Sequence, residues 1–408
     1  MRMIVLAPLL AAVPGAALAE PLTFDAALER ASREAPSLHA RAFEVEARRS
    51  SATAAGQLPD PKLGVGIDNF PVSGPPAFSL TRENMTMERI GIEQEVPNLA
   101  KRHAAQGRAR ADITAADAQS AVTLLQVRVA TAAAWIDLAY AQRRLDTMDR
   151  ILGELRPLVS TSPSAVASGS ARPGQSLDAE RALVELEDRR SAIEAEVGSA
   201  RAELSRWTGD DDPEAVGPAP QLVVTPAELR ASLAQHPDLQ MAGAKVRQAQ
   251  ADTELARAEK RPDWGFNVAF QRRDPQFGNM VSVGATMTLP IFPGRRQNPR
   301  IEAAASEAAA ARAEQEDVQR ALEANLKAGL VEHHMHHEQW MRARDTLLPL
   351  ARKKAALETA SYAAGRAGLL DVVEAEASLA STELDTLDRE AAVARHATRL
   401  VLTYGGSQ

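Results

Sequence analysis

The residues of this chain best equipped for chemistry form one tract, His333-His334-Met335-His336-His337-Glu338. On a helix, His333 and His337 share a face at i, i+4, and His333 and His336 do so at i, i+3. Imidazoles at that spacing can hold a divalent metal; a solvated or inter-helix polar patch is the more ordinary use of such a tract. No second histidine follows His337-Glu338 at the H-E-x-x-H spacing, so a zinc protease is not supported. Met85 and Met87 are soft enough for Cu(I), or pack within a strand or loop. Asp210-Asp211-Asp212 lacks the EF-hand pattern and reads as a solvated linker. There is no Gly-rich phosphate loop and no G-x-S-x-G elbow. With no cysteine, thiolate metal sites, Cys nucleophiles, disulfides and lipidated Cys are excluded. The expectation is therefore no active site and no cofactor, with His333 and His337 as weak metal candidates.

Composition narrows the class further. The chain has 408 residues and a net charge of −7, with aromatics at only 4%. Mild acidity argues against nucleic acid, whose phosphates need a basic face. Residues 1–19 read as a cleaved secretory signal: Arg2 is the positive start, Met3 to Ala12 the apolar core, and Ala17-Leu18-Ala19 the cleavage site. No later stretch has an unbroken apolar run long enough for a membrane helix.

The elements that would carry these residues occur twice. Leu28, Pro36 and Leu38 recur as Leu229, Pro237 and Leu239 at a constant offset, and Gly91, Pro97 and Leu177-Asp178 recur as Gly284, Pro290 and Leu370-Asp371. Each half is far longer than the roughly 20–45 residues of a solenoid unit, so the pattern is a duplicated domain. It divides the chain into a first repeat over 20–208, a linker over 209–225 and a second repeat over 226–408. Each repeat predicts a helix (Phe24 to Gly56; Pro226 to Lys260), two strands, and a long helical hairpin. The helix from Ala100 to Val159 is about 90 Å long at 1.5 Å per residue, and its equivalent runs from Pro299 to Ala364 with a kink expected at Pro349. Return helices follow at Ser176 to Trp207 and Ala367 to Thr403. Helices of this length need a coiled-coil-like neighbour.

The strands alternate with period two. Leu63, Val65 and Ile67 alternate with Gly64, Gly66 and Asp68; Trp264, Phe266, Val268 and Phe270 alternate with Gly265, Asn267, Ala269 and Gln271. Val281 to Leu289 and, more weakly, Met87 to Val96 follow the same rule. Such alternation means a sheet wet on one side, whether a half-buried soluble sheet or a membrane sheet. In a membrane every backbone group must be paired, so only a closed barrel is allowed, and about eight strands is the smallest that closes. Four strands per chain would then require several chains. Gly64, Asp68, Glu93, Asn267, Gln271, Ser282 and Thr286 would line the lumen, and Trp264 and Phe270 would meet lipid.

That layout resembles the TolC-like outer-membrane efflux proteins. The stretches that carry the resemblance are Gln57-Leu58-Pro59-Asp60-Pro61, Phe78-Ser79-Leu80-Thr81-Arg82, Met85-Thr86-Met87, Gln94-Glu95-Val96-Pro97-Asn98 before Lys101-Arg102, and Leu289-Pro290-Ile291-Phe292-Pro293-Gly294-Arg295-Arg296. They are most similar to the heavy-metal resistance branch. The resemblance implies a mainly α fold with a small β part, in which a homotrimer closes a 12-stranded barrel in the outer membrane above an α-helical periplasmic tunnel. It implies an export duct of a tripartite pump, with an inner-membrane RND transporter and a periplasmic membrane-fusion adaptor as partners. By the same resemblance, Gly169, Ser170, Gly365, Leu369 and Leu370 fall at the adaptor-docking tips. Asp178, Asp371 and Glu374 fall at the periplasmic aperture. The alternatives are a soluble periplasmic coiled-coil adaptor or scaffold, and a secreted metal-dependent hydrolase built on the His tract.

Overall fold

The computed structural model describes residues 21–161 and 173–406. Its elements, in order, are β1 (Pro21–Leu22), α1 (Phe24–Glu34), α2 (Pro36–Ala54), β2 (Lys62–Asp68), β3 (Met87–Val96), α3 (Leu99–Ser160) and α4 (Pro173–Thr208). Then come β4 (Glu214–Ala215), α5 (Pro226–Ala231), a 3-10 turn (Ser232–Gln235), α6 (Pro237–Ala258), β5 (Trp264–Arg272) and β6 (Met280–Met287). The chain ends with α7 (Gln297–Arg342), a π-helical turn (Ala343–Leu347), α8 (Leu348–Ala363) and α9 (Leu369–Tyr404).

Proline decides where these helices break. The single helix expected over Phe24 to Gly56 is two, and so is the one expected over Pro226 to Lys260. Ala35 before Pro36 sits at ψ 121°, and His236 before Pro237 at ψ 132°. Both are driven out of the helical region by the following pyrrolidine ring. The same two prolines had already aligned between the repeats. Pro349 acts differently. Lacking an N–H, it cannot bond the preceding turn, and the helix widens ahead of it: Leu348 N–H donates to Ala343 O, five residues back. The expected kink is thus a π turn.

The chain forms two units. One gathers His39–Thr123 and Leu233–Ala324. Its four-stranded antiparallel sheet has the order β2-β3-β5-β6. The helical parts follow the same order. Arg49 of α2 lies 3.7 Å from Asp117 of α3, Gln248 of α6 donates to Asp112 at 2.7 Å, and Thr253 of α6 donates to Ala304 O of α7 at 3.1 Å. At the joint, Asn98 caps α3 by accepting from Lys101 N–H, while its own N–H donates to Asp263 at 2.8 Å. Lys101 Nζ adds an ion pair to Asp263 at 3.1 Å. Burial alone would raise the Asp263 carboxyl, but the bonds from Asn98 and Lys101 outweigh it and hold the group below its ordinary value. Gly56 at φ +73° brings its carbonyl to Arg102 Nε at 2.7 Å; a Cβ there would fall 2.6 Å from Arg102 O.

The other unit gathers the chain up to Leu38, Leu124–Ser232 and the chain from Asn325. Its core is the packed seam of α3, α4, α8 and α9, where Met148, Leu152, Leu155, Ala179, Val373 and Leu384 are buried together. A second cluster surrounds Trp135, Ile136 and Leu138 with Leu204 and Ala391. α3 carries a window apolar enough to cross a membrane, but 50% of it is buried within the chain, as in the core helix of a folded unit. The linker is not merely solvated. Glu214 and Ala215 pair in parallel with Pro21 and Leu22, Asp210 bonds Arg30 at 3.4 Å, and Asp212 bonds Arg201 at 2.9 Å.

Candidate channel surface

The register of the sheet sorts its side chains into two unlike faces. Leu63, Ile92, Val268 and Val283 form one cross-strand row, and Val65, Ile90, Phe270 and Val281 another. These rows are exposed, Val65 at 75% and Val283 at 78%. The intervening rows are Lys62, Glu93, Asn267 and Gly284, and Gly64, Gly91, Ala269 and Ser282. All seven residues expected on the polar side, Gly64, Asp68, Glu93, Asn267, Gln271, Ser282 and Thr286, share this face; Trp264 and Phe270 occupy the other. The arrangement inverts a soluble sheet. Polar Gln271 is 8% exposed, and it exchanges hydrogen bonds with Ser282 at 2.9 and 3.0 Å. A Cβ on Gly284 would lie 2.5 Å from Asn267 Oδ1, and one on Gly265 2.6 Å from Thr286 Oγ1. These glycines let the polar side chains fold flat across the sheet. Among the described residues β2 and β6 each pair on one side only, which leaves two open edges.

The expected aperture and tips divide. Gly169 and Ser170 lie outside the described residues. Gly365 sits at φ +69°, the left-handed turn between α8 and α9 that favours glycine. Leu369 is only 8% exposed, within the α3, α4 and α9 seam; Leu370 is half-buried. Asp371 accepts from Gly368 N–H at 2.7 Å and so closes the start of α9. Asp178 stands 4.0 Å from Arg181, and Glu374 is exposed.

The His tract splits across α7. His333 and His337 share a face with ring centroids 6.4 Å apart, as the spacing requires, and His337 meets Trp340 edge-on at 5.8 Å. Both line a hollow of about 1120 Å³ beneath the linker residues Gly217 to Val224. Burial, then the neighbouring histidines, lower the affinity of His333 for a proton. His336 does not join them. It turns to His396 of α9, with ring centroids 4.4 Å apart. No sequence pattern marks His396, which lies far along the chain and alone among apolar and basic residues.

Known proteins match this architecture. Residues 229–406 match the outer membrane efflux protein family. The cobalt-zinc-cadmium resistance protein CzcC of Cupriavidus metallidurans is 25% identical over 88% of this chain and 84% of its own. Among solved structures, CusC superposes with a TM-score of 0.79 over 94% of this chain and 92% of its own, at 16% identity. The CmeC outer membrane channel of Campylobacter jejuni gives 0.79 over 94% and 85%, at 13% identity. With its two-faced sheet and these likenesses, the chain has the fold of outer membrane efflux channels, and residues 229–406 are similar to the outer membrane efflux protein family.

Proposed function

We propose that this protein is the outer-membrane duct of a tripartite RND-type pump and that it exports heavy-metal cations. The observation that carries the reading is the four-stranded sheet with an exposed apolar face, a polar opposite face and two open edges. Such a sheet is stable in lipid only when its edges are paired, and three copies joined β6 to β2 supply a 12-stranded barrel. The polar rows then line the lumen. The helices form the periplasmic tunnel, which meets a membrane-fusion adaptor and, through the pump, the inner-membrane transporter. Residues 1–19 act as the export signal, and the barrel holds the protein in the membrane. The metal cargo rests on the likeness to the cobalt-zinc-cadmium resistance protein. Heat-modifiable migration of the outer-membrane fraction, with mass measured in detergent, tests the assembly. A trimer is expected, and a soluble monomer would end the reading.

Two further results follow at the tip. Asp178, Asp371 and Glu374 each become a ring of three carboxylates in the trimer, which favours cations. Asp371→Asn with Glu374→Gln should lower cation preference in planar bilayers; Asn retains an acceptor for the cap on Gly368. Unchanged reversal potentials would remove both residues from the aperture. For the adaptor, Leu370→Glu is the cleaner variant. A side chain at Gly365 would strain a left-handed backbone, and one at Leu369 would disturb the seam. Leu370→Glu should weaken adaptor capture while the trimer persists; full capture would place docking elsewhere.

A further inference from the structure

His336 and His396 come from different helices, yet their rings meet at 4.4 Å with planes tilted by 36°. Glu332 lies one turn before His336 on α7, and its Oε2 stands 3.9 Å from His396 Nδ1. His336 and Glu332 of α7 thus each approach His396 of α9 across the seam. Next to them is a hollow of about 400 Å³, bordered by Val129, Ala133, Ala392 and Thr398. Thr398 Oγ1 is buried there without a hydrogen-bond partner among the described residues. The positive charges beside the hollow are Arg395, which is paired with Asp137 at 3.0 Å, and Arg399.

We propose that Glu332, His336 and His396 bind one divalent transition-metal cation of the Zn2+ or Co2+ class and so bridge α7 to α9. Two imidazoles and a carboxylate suit such ions, and tetrahedral binding leaves a fourth position for water. With metal–nitrogen distances near 2.0 Å, two imidazoles on one tetrahedral ion place their ring centres about 5 Å apart. The observed 4.4 Å is within about 1 Å of that separation. No three His, Asp or Glu side chains among the described residues are already gathered as a metal centre, so the ligands close on the ion by side-chain rotation. His333 and His337 lie on one helix, so an ion held by that pair alone would not bridge α7 to α9. The proposal deepens the metal-export reading, because the ion bound is of the chemical class of the proposed cargo.

The test is Co2+ titration of the full-length protein in detergent, followed by the visible absorption of the bound ion, with Zn2+ competition and a thermal melt. One ion per chain is expected. Zn2+ should raise the melting midpoint of the unsubstituted protein, and His336→Gln and His396→Gln should each lose both the absorption and that rise. The His333→Gln/His337→Gln double variant should keep them. No absorption in the unsubstituted protein, or absorption that survives His396→Gln, overturns the site. Each variant is first shown to form the same oligomer as the unsubstituted protein. Conductance of the same preparation separates the two claims: a conducting channel without the Co2+ band overturns only the metal site, and a band in a protein that does not conduct supports the site while it overturns the duct.

Discussion

Val283→Arg should keep this protein out of the outer membrane, whereas Ser282→Arg, one residue away, should not. Val283 is 78% exposed at the middle of β6, in a row with Leu63, Ile92 and Val268. If that row faces hydrocarbon, an arginine there costs about 2–4 kcal/mol near the bilayer midplane. In the proposed trimer the substitution occurs three times, so the penalty approaches the whole stability of a typical domain. Ser282 points the other way, beside Gln271. An arginine there meets the polar face, and the proposed trimer should insert with a channel shifted towards anions. Heat-modifiable migration of the two variants and bilayer reversal potentials read both effects. Equal insertion of the two would mean that neither face meets lipid.

The two faces were legible because a strand's period is two and does not depend on tertiary context. β3 matched the expected Met87 to Val96, and β2, β5 and β6 fell within two residues of expectation at each end. Loci governed by tertiary context were less legible. Pro36 and Pro237 recur as a repeated pair, yet a proline is tolerated in the first turn of a helix and also ends one, so its presence alone does not separate one helix from two. The widening before Pro349 depends on how a helix accommodates a missing donor, and composition does not distinguish a kink from a π turn. The burial of Leu369 is set by α3 and α4, which its own neighbours in sequence do not reveal. His336 shows the same limit most sharply. Helical spacing offered His333 as its partner, and the fold instead brought His396 from α9.

Trp135→Ala should be the most damaging single truncation in the helical unit, and Trp135→Phe should show which part of the side chain matters. Trp135 is 0% exposed, packs edge-on against Phe24 at 5.5 Å, and donates its indole N–H to Leu22 O at 2.7 Å. The ring thus ties β1 and α1 to the buried face of α3. Truncation to alanine removes that packing and leaves a cavity, at a cost of about 3–5 kcal/mol. Phenylalanine keeps most of the volume and loses the indole donor. The Leu22 carbonyl still accepts from Val216 N–H at 3.2 Å, so it is not left unpaired, and the loss should be about 1 kcal/mol. The melting midpoints of the two variants should therefore separate clearly, with alanine far lower. If they fell together, the hydrogen bond to Leu22 and not the buried ring would be what holds β1 in place. The duplicated architecture would then depend on the strand pairing of Pro21 and Leu22 with Glu214 and Ala215 more than on the core around Trp135.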